Sequence, residues 1–390
     1  MKERIADLDI IRGYALFGIL MCNIVLFAHP AEYMFQYFSQ HTGLIDEVSE
    51  FIRFNYFGDK TFTLFSLLFG LGIGMQYSKR KSQGIAFTKY HLVRMVLLLV
   101  IGLLHAVFIW FGDILTMYAL LGMLSLLIID RTPKQKLIIS ILLFLWPTIQ
   151  TILMRNGLMS INFYNPEVAS VESLIALNTA EGFSGHLNYN LSQLVSTISF
   201  YLGGNLYDSF SMIVLGMACA DLSLHKRINT DIPKYRKLLV ICLPIVIIWT
   251  VYQLFFFDPK KMGSPGQFYS YWTIFKLSML GQTGLVISLI VLINRQKSIL
   301  RKLIAKLSFL GRLSLTNYIL HSIFGILIFK VLGFYGQSSP TVDILLTIGI
   351  TVLQIILSQW WISKFKMGPL EKVWRNSTKF ILSNNPKSES

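Results

Sequence analysis

The sequence predicts an all-α polytopic membrane protein with about ten transmembrane helices and both termini in the cytoplasm. Three observations predict it. The 390 residues are 54% hydrophobic and only 14% charged, with a mean hydropathy of +0.57; soluble domains run near 45–50% apolar and about 25% charged. The apolar residues gather into runs long enough for a helix rising 1.5 Å per residue to cross about 30 Å of hydrocarbon. Between the runs, basic and non-basic segments alternate.

Ten runs follow one another, near residues 10–28, 57–78, 92–110, 113–129, 137–154, 193–220, 237–257, 270–293, 305–332 and 341–363. The first follows basic residues, as a signal peptide would. It continues for nearly twenty residues into "FAHPAEY", a poor cleavage site, and so reads as an uncleaved span. The second, "FNYFGDKTFTLFSLLFGLGIG", opens with Asp59 and Lys60 and carries Gly70 and Gly74, a small-xxx-small face for close helix packing. The third and fourth form a hairpin through the tight turn "WFGD", with Asp113 as N-cap of the fourth helix after Gly112. The outer loop at 157–190, before the sixth run, is too short for a domain with its own core. In the ninth run, "GRLSLTNYILHS" sets Asn317 and His321 four residues apart, on one helix face. Residues 1–390 therefore read as a single bundle, with N-terminal helices over 1–221 and C-terminal helices over 230–380.

The basic residues fix the expected orientation, because Lys and Arg accumulate on the cytoplasmic side. Of the 35, 28 fall in alternate connections: Lys2, Arg4 and Arg12, then 78–94, 130–136, 225–237, 295–306 with Arg312, and the tail from Lys364. The net charge of +15 would otherwise suggest nucleic acid; here its expected partner is the anionic headgroups of the inner leaflet. Cys22, Cys219 and Cys242 lie inside apolar runs and offer neither a disulfide framework nor a paired metal spacing.

Without a soluble domain, chemistry falls to polar residues inside the bundle, each costly to bury and hence expected to face a partner or a cavity. His105 lies five residues before the turn, roughly 7–8 Å deep at 1.5 Å per residue, where a histidine lining a wet cleft exchanges protons near neutral pH. Asp113 is accounted for first by capping and second by orienting that imidazole. Asn23 lies eleven residues after Arg12 in the first run, and Asp208 and Lys276 sit in the sixth and eighth as an interhelical pair or part of a site.

The blocks "LDIIRGYALFGILMCNI", "DKTFTLFSLLFGLG", "LLHAVFIWFGDILTMYALLG", "GRLSLTNYILHSIF" and "GPLEKVWR", in that order and spacing, resemble the YeiB-like bacterial membrane proteins, whose C-terminal half is domain of unknown function 418. His321 stands where that family is associated with glutamine. The blocks are more distantly similar to transmembrane acyltransferases, which share an opening Arg-Gly helix with a polar residue eleven positions on, matched here by Arg12 and Asn23. The histidine of that branch, set in a tryptophan and proline motif, has only a partial counterpart in His29 of "FAHP".

The resemblance implies a bacterial cell-membrane enzyme that moves an acyl group from cytoplasmic acyl-coenzyme A to a small-molecule or envelope-glycan acceptor on the outer side. In that reading Arg12, Arg94 and Arg312 hold the donor's phosphates. His105, Asn23 and Asp113 form the catalytic group, with Asn23 or Lys60 steadying the oxyanion, and Lys60, Asp59, Asn317 and His321 meet substrate. The rival expectation is a permease or flippase using His105, Asp113, Lys60 and Asp208 as coupling groups.

Overall fold

A computed structural model describes residues 5–33, 37, 40–158, 182–200, 204–228, 230–258, 261 and 264–383. All regular structure among them is helical. In chain order the helices are α1 (Ala6–Ala28), α2 (Leu44–Ile52), α3 (Gly58–Lys81), α4 (Thr88–Phe108), α5 (Leu115–Leu124), α6 (Pro133–Arg155), α7 (Gly182–Phe200), α8 (Leu206–Asp221), α9 (Ile232–Phe255), α10 (Pro265–Ile293), α11 (Ile299–Arg312), α12 (Ser314–Gly325), α13 (Pro340–Lys364) and α14 (Pro369–Ser383).

Seven helices among the described residues are long and apolar enough to cross a membrane: α1, α4, α6, α9, α10, α13, and α12 with its π-helical continuation to Val331. Helix α1 is central. Over its most apolar stretch 78% of residues are buried, against 22% in α6 and α9, whose leucines and isoleucines face outward. Three further helices stand where the second, fourth and sixth apolar runs were expected. Helix α3 buries Thr61, Thr63 and Ser66, α5 continues to Leu127, and α8 is buried along most of its 16 residues. Helix α3 is the more polar of the three because much of its surface packs on protein, whereas α5 and α8 are apolar but shorter than a full span.

The small-xxx-small face of α3 meets α8 backbone to backbone. A Cβ on Gly70 would lie 1.9 Å from the Ile213 carbonyl oxygen, and one on Gly216 would lie 2.1 Å from that of Leu67. Helix α6 begins with a full capping box: the Thr132 side chain accepts from the Gln135 amide, the Gln135 side chain accepts from the Thr132 amide, and Pro133 occupies the first turn.

The expected 193–220 run divides into α7 and α8, and residues 159–181 of the expected outer loop lie outside the described residues. Residues 182–190 are the start of α7 rather than loop. The expected 305–332 run divides at Leu313 (φ −116°, ψ 45°) because the Glu371 carboxylate opens a new helix there. It accepts the amides of Leu315 (2.8 Å) and Thr316 (3.2 Å) and the Thr316 hydroxyl (2.6 Å). A carboxylate on the unpaired amides of a helix start is favourable both as hydrogen bond and as charge against the helix dipole. The "GPLEKVWR" block is thus a clamp. Trp374 on the same α14 donates from Nε1 to the Arg94 carbonyl (2.8 Å) and stacks under the Arg94 guanidinium at 4.0 Å.

Candidate functional site

The α4–α5 hairpin closes as its sequence requires. The Asp113 Oδ2 atom accepts the Thr116 amide at 2.7 Å, the capping bond. Its other oxygen, Oδ1, lies 3.0 Å from His105 Nδ1, with both side chains 1% exposed, a close contact that does not form a hydrogen bond. On the far side of the imidazole, Nε2 is 2.9 Å from the Ser322 hydroxyl of α12. Tyr318, one turn before Ser322, accepts the Ile114 amide (3.1 Å) and packs its ring 5.3 Å from that of His105. The helices can come this close because residue 102 is glycine: a Cβ there would sit 2.6 Å from the Thr116 nitrogen and 2.8 Å from Asp113 Oδ2.

An aspartate, a histidine and a serine thus form one buried polar chain. Burial of these groups is eased by the hydrogen bonds of Asp113 Oδ2 and His105 Nε2 and by the 3.0 Å approach of Oδ1 to Nδ1. The carboxylate beside Nδ1 favours the tautomer protonated there, leaving Nε2 to take a proton from a hydroxyl, the arrangement on which hydrolytic triads rely. Ser322 was not singled out in the sequence. It directly follows His321 and so lies on a different helix face from the Asn317–His321 stripe.

The same turn walls a cavity of about 610 Å³. Trp110, Phe111, Gly112 and Ile114 line it together with Cys22 and Asn23 of α1, Gly58, Asp59 and Phe62 of α3, Gln193 and Thr197 of α7, Asn205, and Ser209 of α8. Helices α1 and α3 meet at its edge, where Cys22 Sγ donates to the Gly58 carbonyl at 3.4 Å. Asn23 and Asp59 therefore share one wall. His105 and Asp113 do not line it; they stand behind the turn.

Lys60 faces away from the cavity. Its ammonium donates to the Phe54 carbonyl at 3.2 Å and lies 4.8 Å, 5.1 Å and 5.6 Å from the ring centres of Phe275, Trp249 and Phe54. Asn317 bonds to Ser358 Oγ (3.0 Å) and the Leu310 carbonyl (3.3 Å), and His321 is within reach of Gln354, so this face of α12 joins α12 to α13. Asp208 pairs with Lys276, which also lies 5.1 Å from the Phe144 ring centre.

At the basic end, Arg12 reaches Asp9 (3.2 Å), Arg94 is held against Trp374, and Arg312 closes α11. None of them lines the groove of about 1010 Å³ between the start of α1 and α11, which instead carries Lys297, Arg301, Lys302 and Lys306.

The fold and site define a class: an all-helical polytopic membrane protein with an internal cavity and, behind one wall of it, a buried Asp113–His105–Ser322 chain. Residues 219–380 match the family described as "Protein of unknown function (DUF418)". Along its length the chain is similar to the uncharacterized protein YxaH of Bacillus subtilis, at 28% identity over 97% of this chain and 94% of that one. It is also similar to the uncharacterized protein YeiB of Escherichia coli, at 24% identity over 96% of each. The match over residues 219–380 and the similarity to these relatives along nearly the whole chain support a YeiB-like DUF418 family for it.

Proposed function

We propose that the protein is a membrane-embedded acyltransferase, crossing the bacterial cell membrane about ten times with both termini in the cytoplasm, and passing an acyl group from acyl-coenzyme A to an acceptor held in the 610 Å³ cavity. The buried Asp113–His105–Ser322 chain, carried by the turn that walls this cavity, is the observation that supports the reading. The acceptor's hydroxyl or amine attacks the thioester carbonyl, the carbon–sulfur bond breaks, and acylated acceptor and free coenzyme A thiol result. His105 takes the acceptor's proton through the Ser322 hydroxyl and returns it to the departing thiolate. Asn23, on the cavity wall, steadies the oxyanion. Use of the relay requires residues 110–112 to move aside and admit the acceptor to Ser322.

The donor's phosphates suit the groove beside α11, where Lys297, Arg301, Lys302 and Lys306 present four cations. Arg12 and Arg94 already have partners. Binding of coenzyme A to the purified protein in nanodiscs tests the reading, with affinity expected to fall at least about tenfold in Arg301→Ala/Lys302→Ala, in keeping with two lost charged contacts. Absence of binding by the wild type contradicts it.

A further inference from the structure

Among the described residues the cavity carries one charged group, and its sign runs against the protein as a whole. Asp59 is the only acidic or basic one of the described residues on the wall, in a chain of net charge +15. Its carboxylate makes no hydrogen bond or ion pair with another described residue. The neighbouring Lys60 turns into the rings of Phe54, Trp249 and Phe275. Asn23, 6% exposed on the same wall, also has no hydrogen-bond partner among the described residues. Two helices thus aim an unpartnered carboxylate and an unpartnered amide into one space. Phe62, Trp110 and Phe111 add aromatic faces.

An acidic residue in the first turn of α3 is favourable against the helix dipole and is attracted by the neighbouring Lys60 ammonium, but the two make no ion pair at contact distance, and Asn23 is left unexplained. A carboxylate in a mostly apolar cavity is stabilised best by a cation brought in with the ligand. Aromatic faces attract the same cation, and the amide oxygen of Asn23 can accept from an N–H. The volume lies in the range of small-molecule sites, about 300–1,000 Å³.

We infer that this cavity is a binding site for an ammonium-bearing small molecule, its cation held by Asp59 and the aromatic wall and its polar portion by Asn23. The inference rests on the proposed function only in naming that molecule as the acceptor; the binding itself does not depend on acyl transfer.

Calorimetric titration of the wild type in nanodiscs of neutral lipid, with choline and its uncharged isostere 3,3-dimethylbutanol as probes, tests it. The expected result is choline binding at least tenfold tighter than the isostere, with that preference lost in Asp59→Asn and retained in Asp59→Glu. Equal affinity of the wild type for the two probes overturns the inference without recourse to any variant, as does an Asp59→Asn protein that still prefers choline. Choline binding without coenzyme A release from any donor leaves the cation site standing and removes acyl transfer. Acyl transfer with no preference between the probes does the reverse.

Discussion

Asp113 serves two demands with its two oxygens, and this is why capping alone does not exhaust its role: Oδ2 holds the Thr116 amide while Oδ1 faces His105. Ser322 completes the chain and is the residue whose removal is most informative. In Ser322→Ala the imidazole keeps Asp113 but loses its Nε2 partner, which costs about 1–2 kcal/mol of stability. Acyl transfer is expected to fall at least about 100-fold, the scale of a lost acid–base group. If the activity lost merely tracks the fraction unfolded in a melting experiment, the relay is structural. A second residue, His29, lies just beyond α1 with Nε2 at 3.2 Å from the Ser338 carbonyl oxygen and 3.1 Å from its hydroxyl. Burial, reinforced by nearby His41, lowers its pKa from 6.5 to about 4. The folded protein therefore binds this proton less readily than the unfolded chain. Its contribution to stability is complete above pH 6.5 and is lost as pH falls toward 4. The melting temperature of detergent-solubilised protein should drop over that window, and His29→Gln should make the drop shallower; an unchanged slope would refute the assignment. His105 was legible from depth and composition. Ser322 was not, because a serine next to a histidine carries no sign of which helix faces it.

Helix packing offers a matched pair of glycines two residues apart. Gly70 touches the α8 backbone, whereas Gly72 has open space where a Cβ would go. Gly70→Ala should therefore force α3 and α8 apart and destabilise by about 1–3 kcal/mol or more, while Gly72→Ala should be neutral or stabilise by up to about 1 kcal/mol through helix propensity. Equal thermal shifts for the two variants would show that α3 and α8 do not pack in this register. The α11–α12 break makes a second test at this scale. Glu371→Gln weakens a charged cap on three donors and should cost about 1–2 kcal/mol, measured as a lowered melting temperature, whereas Lys372→Gln, one position on, should cost little. Long apolar runs located most helices, since length and hydropathy are local properties. The division of 305–332 was not legible, because the carboxylate that causes it arrives from 55 residues further along the chain.

For the whole molecule, charge and hydropathy act together. The apolar helices demand a bilayer, and the concentration of 28 of 35 basic residues in alternate connections favours a cytoplasmic C-terminus. A reporter fused after residue 383 should be active only in its cytoplasmic form; activity of the exported form would reverse the orientation and move the groove proposed for the donor to the wrong side. The class of membrane protein was legible from composition, but the internal cavity was not, since its wall draws on five stretches of chain, from Cys22 to Ser209. The most direct measurement follows coenzyme A release by protein reconstituted with acyl-coenzyme A on the groove side and a cell-envelope extract as acceptor pool on the other. The account predicts release that requires the extract and falls at least about 100-fold in Ser322→Ala. Extract components crossing the membrane without any donor, and no release of thiol when donor is present, would contradict it and mark the protein as a transporter.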